Sequence, residues 1–205
     1  MTLTYEGQEL PARAPLHRFV TLQGRHVLGH DGGVRARVYV PHTTIHPALK
    51  QVLDAPCFIN GLTLGWTGVE MTEPDSYPNY LAERWAEGGP FINHEHDGLP
   101  WPGAYRSLWN CPHDWCVFGY GDNEVFTGAA YLGLVKFSAR FVLETPGLWE
   151  PEMWTKMDQT PVPGAPFWAQ ETPRTWQHCD GHLAKYAQVN HISFHQHFPS
   201  VNHLH

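Results

Sequence analysis

The chain has 205 residues, of which 42% are hydrophobic and 16% charged, and it carries a formal charge of −7. A chain of this length buries on the order of 70% of its unfolded surface, so one core and one domain are the simplest expectation. The acidic balance and the scattering of the 13 Lys and Arg argue against a nucleic-acid surface. No apolar stretch approaches the roughly 20 residues that span a bilayer.

Nine Trp, 18 Pro and 19 Gly predict ordered loops, rigid aromatic contacts and few, short helices. The first residues lack the basic-then-apolar pattern of a secretory leader, so a cytoplasmic location is expected. The cysteines stand at Cys57, Cys111, Cys116 and Cys179 and form no Cys-x-x-Cys pair. Free thiols are expected, with a zinc knuckle through Cys111, His113 and Cys116 as the alternative.

Residues 1–33 carry no clear periodicity and read as an N-terminal arm or hairpin, leaving 34–205 as the domain proper. Val34, Val38 and Val40 share one face of a first strand, which Pro41 is expected to stop. Ile45 to Leu53 reads as a short helix with Pro47 at its start. Leu62 to Val69 suits a second strand, with Gly61 and Gly65 permitting close backbone approach. Asp75 or Ser76 caps a helix to about Ala86 whose apolar face is Tyr77, Leu81 and Trp85. Gly88-Gly89-Pro90 ends it, and a third strand begins at Phe91. Strand, helix, strand, helix, strand is the alternation of a parallel sheet with crossover helices, an α/β class.

That third strand runs into Asn93-His94-Glu95-His96-Asp97-Gly98. Period-2 geometry sends Glu95 and Asp97 to the same side just past its end, where open α/β sheets bind ligands. Two hard oxygen ligands there suit Mg²⁺ or Mn²⁺ and leave coordination sites for a phosphate-bearing substrate. A solvated loop with helix-capping acids is the competing reading.

Downstream, Pro102–Trp109 and Ser138–Glu144 suit short helices, and Cys116–Tyr120 a strand. Gly128 to Leu134 reads as a loop and strand. Pro146 to Pro173, with Trp149, Trp154 and Trp168, reads as a long ordered loop or lid, and Asp180 to Gln188 as a helix. In the tail, His191, Ser193, His195 and His197 fall on one face of a strand, with Ile192, Phe194 and Phe198 on the other. Such imidazoles can complete a metal's coordination or hold a phosphate; an edge strand with a His-rich polar face is the alternative.

Taken together, several segments resemble small glycosyltransferase-like proteins of bacteria and their phages. They are Glu95-His96-Asp97-Gly-Leu-Pro-Trp-Pro-Gly-Ala, Leu108 to Tyr120, Leu132 to Ser138, Trp176 with Asp180, and the terminal His-x-His-x-Pro-x-Val-x-His-x-His. The likeness covers roughly Val34 to His205. It implies a compact GT-A-like fold, with a mixed, mostly parallel sheet flanked by short helices and long Pro/Trp-rich loops. It implies a metal-dependent transfer of sugar from a nucleoside-diphosphate sugar to a glycan or protein acceptor, in the host cytoplasm if the chain is phage-encoded. By the same likeness Glu95 and Asp97 hold Mn²⁺ or Mg²⁺, with His195 and His197 as further ligands and His203 behind them. Pro41, His42 and Thr43 would lie against the base, Asp75 would approach the nucleoside, and Lys136 would contact phosphate. Asp180 would serve as general base, with Asp158 second, while Trp101, Trp109 or the Trp149–Trp168 segment stacks on acceptor sugar. The alternative is a non-catalytic relative acting in binding or assembly, such as a phage virion component. A His/Asp metallohydrolase is a third class, whose marking motifs are missing from the sequence.

Overall fold

A computed structural model describes residues 4–5, 8–9, 37–55, 57–59, 62–120, 132–160 and 173–204. Thr4–Tyr5 (β1) and Gln8–Glu9 (β2) form an antiparallel pair; the rest of the expected 1–33 arm lies outside the described residues. The body of the protein is a seven-stranded sheet in the order β6-β3-β7-β10-β9-β11-β8. Its strands are β3 (Arg37–His42), β6 (Gly65–Glu70), β7 (Phe91–His94), β8 (Gly98–Leu99), β9 (Trp115–Tyr120), β10 (Leu134–Phe137) and β11 (His195–His203). Its strands share one direction except β10 and the two-residue β8. The protein is therefore α/β, with a mixed and mostly parallel sheet.

The central strands are buried on both faces, as crossover connections require, and residue parity sorts their side chains between two cores. Tyr39, Phe91, Val135, Phe137, Trp115 and Val117 face one side. There they meet α2 (Ser76–Glu87), α4 (Ala139–Glu144), α5 (Pro151–Gln159) and α6 (Cys179–Val189). Val38, Val40, Ile92, Leu134, Cys116 and Phe118 face the other side, against α1 (Pro47–Asp54) and α3 (Ala104–Trp109). No helix among the described residues is long and apolar enough to cross a membrane.

Several expectations are corrected here. Pro41 does not stop the first strand: it lies within β3, opposite Val69, and pairing continues to His42. The segment Leu62–Val69 divides into β5 (Leu62–Thr63), which pairs with β4 (Phe58–Ile59) in a separate hairpin, and β6. The expected long loop after Pro146 contains α5, started by Pro151 in its first turn, where a missing N–H costs nothing. The helix expected from Asp180 begins at Cys179, entered through the 3₁₀ turn Trp176–His178, so that Asp180 lies inside its first turn.

The packing of α5 on α6 carries a pH prediction. His182 is fully buried, stacked flat on Trp154 at 3.9 Å between ring centroids, with Nε2 donating to the Leu148 carbonyl at 2.7 Å. Burial lowers its pKa from 6.5 to about 4; nearby Arg174 and Lys185 act in the same direction, and Asp158 acts against it. The folded state thus keeps His182 neutral, and the unfolded chain binds the extra proton. Its contribution is complete above pH 6.5, declines as pH falls from there toward 4, and is lost below. Between pH 7.5 and pH 5 this amounts to about 2 kcal/mol. Urea unfolding at the two pH values reads it directly, and His182→Phe, which retains a ring against Trp154, should shrink the difference by that amount.

Candidate active site at the carboxyl end of the sheet

The chain lays β6 on one side of β3 and then crosses to lay β7 on the other. The strand order therefore reverses at the β3/β7 border, and the loops at the carboxyl ends of these two strands form the candidate crevice. Pro41, His42 and Thr43 come from β3 and the turn after it, and Glu95, His96 and Asp97 follow β7. The His46 N–H donates to the His96 carbonyl at 3.3 Å, joining the two loops. The His46 ring also accepts from the Ala48 N–H and so caps α1. The His42 imidazole packs against β6 at Gly68, where a Cβ would stand 2.8 Å from Nε2, so a larger residue there would displace the His42 ring. His42 Nδ1 is closed off from solvent and has no hydrogen-bond partner.

A line of polar side chains supports the acidic loop from beneath. Asn93 is completely buried in β7, and an unpaired amide there would cost several kcal/mol. Its Oδ1 accepts from the Tyr80 hydroxyl at 3.0 Å, and its Nδ2 donates to the Tyr77 hydroxyl at 2.8 Å and to the Leu132 carbonyl. Tyr77 in turn donates to Glu95 Oε1 at 3.2 Å. The Glu95 N–H is tied to the Gly133 carbonyl at 2.7 Å. Asp180 reaches the same place from α6, where its Oδ1 accepts from the Leu132 N–H at 2.7 Å. Both acids keep partial exposure.

The Glu95 carboxylate lies close enough to Asp180 to act on it electrostatically. Burial first, then the Glu95 carboxylate, push the Asp180 carboxyl well above its usual range, against the opposing pull of the Leu132 N–H. Burial and Glu95 likewise push Tyr77 up, so it remains a neutral donor. Burial, Asp180 and Glu95 hold the adjacent Cys179 thiol protonated. A carboxyl so raised can exchange a proton with a substrate hydroxyl, and the repulsion between the two acids can be relieved on a cation.

The tail imidazoles go elsewhere. Asn93 and Glu95 belong to the face of the sheet that packs on α2 and α6. His195 and His197 lie opposite Cys116 and Phe118 of β9, on the α3 face. There Cys111, Cys116, His195 and His197 bring one ligand atom each within 4.8 Å of one another. The expected common cation for Glu95, Asp97, His195 and His197 is therefore corrected: among the described residues the grouped ligands contain no carboxylate. The tail does return to the acidic loop through its backbone, by the pairing of His203 with Gly98 and a bond from the Leu204 N–H to the Asp97 carbonyl at 2.7 Å. The side chains of His203 and His205 lie outside the described residues.

Other expected residues divide as follows. Asp75 is exposed at the start of α2, its Oδ2 accepting from Asn79 Nδ2. Lys136 is not at the crevice: it is buried on the α3 face, with Nζ donating to the Cys111 carbonyl at 2.6 Å. Asp158 is exposed on α5, within electrostatic reach of His182. Trp109, Trp149 and Trp154 are core residues rather than exposed stacking platforms, and Trp168 lies outside the described residues. Sequence reading missed the roles of Tyr77 and Asn93, because a hydroxyl on an apolar helix face and an amide in an apolar strand looked like ordinary core.

This is an α/β domain with two acids, Glu95 and Asp180, beside the reversal of its strand order. No protein-family model, no curated protein and no solved structure matches the chain.

Proposed function

We propose that the protein transfers a sugar from a nucleoside-diphosphate sugar to an acceptor hydroxyl in this crevice. The observation that supports this reading best is the convergence of Glu95, held by Tyr77 and Gly133, with Asp180, held by the Leu132 N–H, beyond the end of β7. An acid pair in such a position suits group transfer, and the raised pKa of Asp180 makes its ionised form a stronger base than an ordinary aspartate. In this reading Asp180 takes the proton from the acceptor hydroxyl. Leu132 N–H orients its carboxylate, and Tyr77 fixes Glu95 from below. Thr43, exposed in the turn after β3, is available to the nucleotide.

The donor set of the acidic loop fits a hard cation. Carboxylate oxygens suit Mg²⁺ or Mn²⁺, and Mg²⁺ is commonly held by one or two carboxylates together with substrate phosphates, without an imidazole. Glu95 and Asp97 would hold it, and when bound it would neutralise charge on the departing diphosphate. A binding or assembly role is the second reading. It is favoured by the exposure of two large apolar side chains, Trp176 at 56% and Phe198 at 66%, which suit an interface.

Incubation with Mn²⁺ and a panel of nucleotide sugars separates the two. Release of nucleoside diphosphate, abolished by Glu95→Gln in a folded protein, is the expected result. Folded wild-type protein that releases none across the panel would favour the binding role.

A further inference from the structure

We infer that Cys111, Cys116, His195 and His197 form a four-ligand Zn²⁺ site that fastens the tail strand to the sheet. Strand register builds it. Lys136, Cys116 and His195 stand in one row across β10, β9 and β11, and Leu134, Phe118 and His197 in the next row on the same face. Cys111, just past the end of α3, closes the fourth side, with its Sγ 3.2 Å from His195 Nδ1.

A tetrahedral zinc site with bonds of about 2.0–2.3 Å has ligand-to-ligand edges of roughly 3.3–3.8 Å. The four atoms here all lie within 4.8 Å of one another, so small rotamer adjustments close the tetrahedron. A second observation points the same way: His197 Nε2 is shut off from solvent with no hydrogen-bond partner. A buried ring nitrogen without a partner is costly, and a metal bond would satisfy it.

The surroundings suit the ion. Two thiolates and two neutral imidazoles balance a divalent charge, and the two thiol protons leave when it binds. Burial opposes a free thiolate at Cys116, and the Lys136 ammonium against the Cys111 carbonyl offsets part of that cost beside the sulfurs. His113 is exposed and stacks on the His195 ring at 4.5 Å between centroids, while its carbonyl accepts from Cys116 Sγ at 3.2 Å. It braces the ligands rather than joining them, so the zinc knuckle through His113 gives way to a set completed by the tail. Sulfur with imidazole selects Zn²⁺ over Mg²⁺ or Mn²⁺. Four protein ligands leave no open position, which makes the site structural. The ion would tie together residues 84 positions apart, holding β11 in its parallel register beside β9.

The test uses the full chain purified from zinc-supplemented medium, with metal content measured after gel filtration. One zinc per chain is expected, and chelation should lower the melting temperature by roughly 10 °C. The cobalt-loaded protein should show tetrahedral d–d bands and thiolate charge transfer. Cys116→Ser should weaken the charge-transfer band, and His197→Ala should lose stoichiometric retention. Cys57→Ser, outside the cluster, should change neither. Folded wild-type protein that keeps only traces of zinc after loading, gives no thiolate band with cobalt, or has Cys111 and Cys116 joined as a disulfide overturns the assignment. None of these readouts depends on sugar transfer.

Discussion

Asp180→Asn is expected to lower sugar transfer by roughly 10²–10⁴-fold, the usual contribution of a positioned general base. The same substitution should leave the fold at least as stable as the wild type. An amide Oδ1 still accepts from the Leu132 N–H, so the backbone contact survives. What disappears is a buried carboxylate beside a second one; burial first, then repulsion from Glu95, push Asp180 well above its ordinary pKa in the wild type. Groups placed for chemistry often oppose stability, and relieving the conflict typically gains stability while losing function. A residue with only a structural role would behave in the opposite way, losing stability and retaining rate. Initial-rate measurements and urea unfolding on one preparation distinguish the cases. A rate within a factor of two of the wild type would remove Asp180 from the mechanism.

Trp85→Ala should have the largest effect on stability, about 4 kcal/mol by comparison with other buried Trp truncations. Trp85 lies at the centre of the aromatic layer beneath α2. Its ring meets Phe137 edge-on at 4.9 Å, Trp149 at 5.6 Å and Phe91 at 5.7 Å between centroids. Its Nε1 donates to Thr145 Oγ1 at 3.0 Å. Those contacts join a helix, two strands and the segment after α4, so removing the ring unlocks all of them together. Trp85→Phe keeps most of the packing and loses the hydrogen bond, for which about 1 kcal/mol is expected. Urea unfolding of both variants gives the comparison. A loss below 1 kcal/mol for Trp85→Ala would mean that this layer is not the common core.

How much of this was legible in the sequence follows from the range of each signal. The alternation through Phe91 rests on local periodicity and glycine punctuation, and it gave β3, α1, β6, α2 and β7 in order. The acidic loop was likewise legible, because Glu95 and Asp97 follow directly on a buried apolar strand. Pro151 inside a Pro-rich run looked like loop, although a proline in the first turn is compatible with a helix. The tail shows the limit more sharply. His195 and His197 were correctly read as sharing a face, but a period-2 pattern does not say which side of the sheet that face covers. Phe194 packing on Trp115 at 5.1 Å settles it, turning the imidazoles to the opposite side from Glu95. Partners that meet across a sheet from distant segments, such as Cys111 with His195, leave no local trace.

The most direct measurement is anomalous scattering from a crystal soaked with Mn²⁺ and a nucleoside diphosphate, collected at energies that separate manganese from zinc. Manganese is expected beside Glu95 and Asp97 at the β3/β7 border, with diphosphate density against it, and zinc among Cys111, Cys116, His195 and His197. Manganese bound only on the outer surface, with no nucleotide density in the crevice, would contradict the assignment of that crevice as the sugar-nucleotide site.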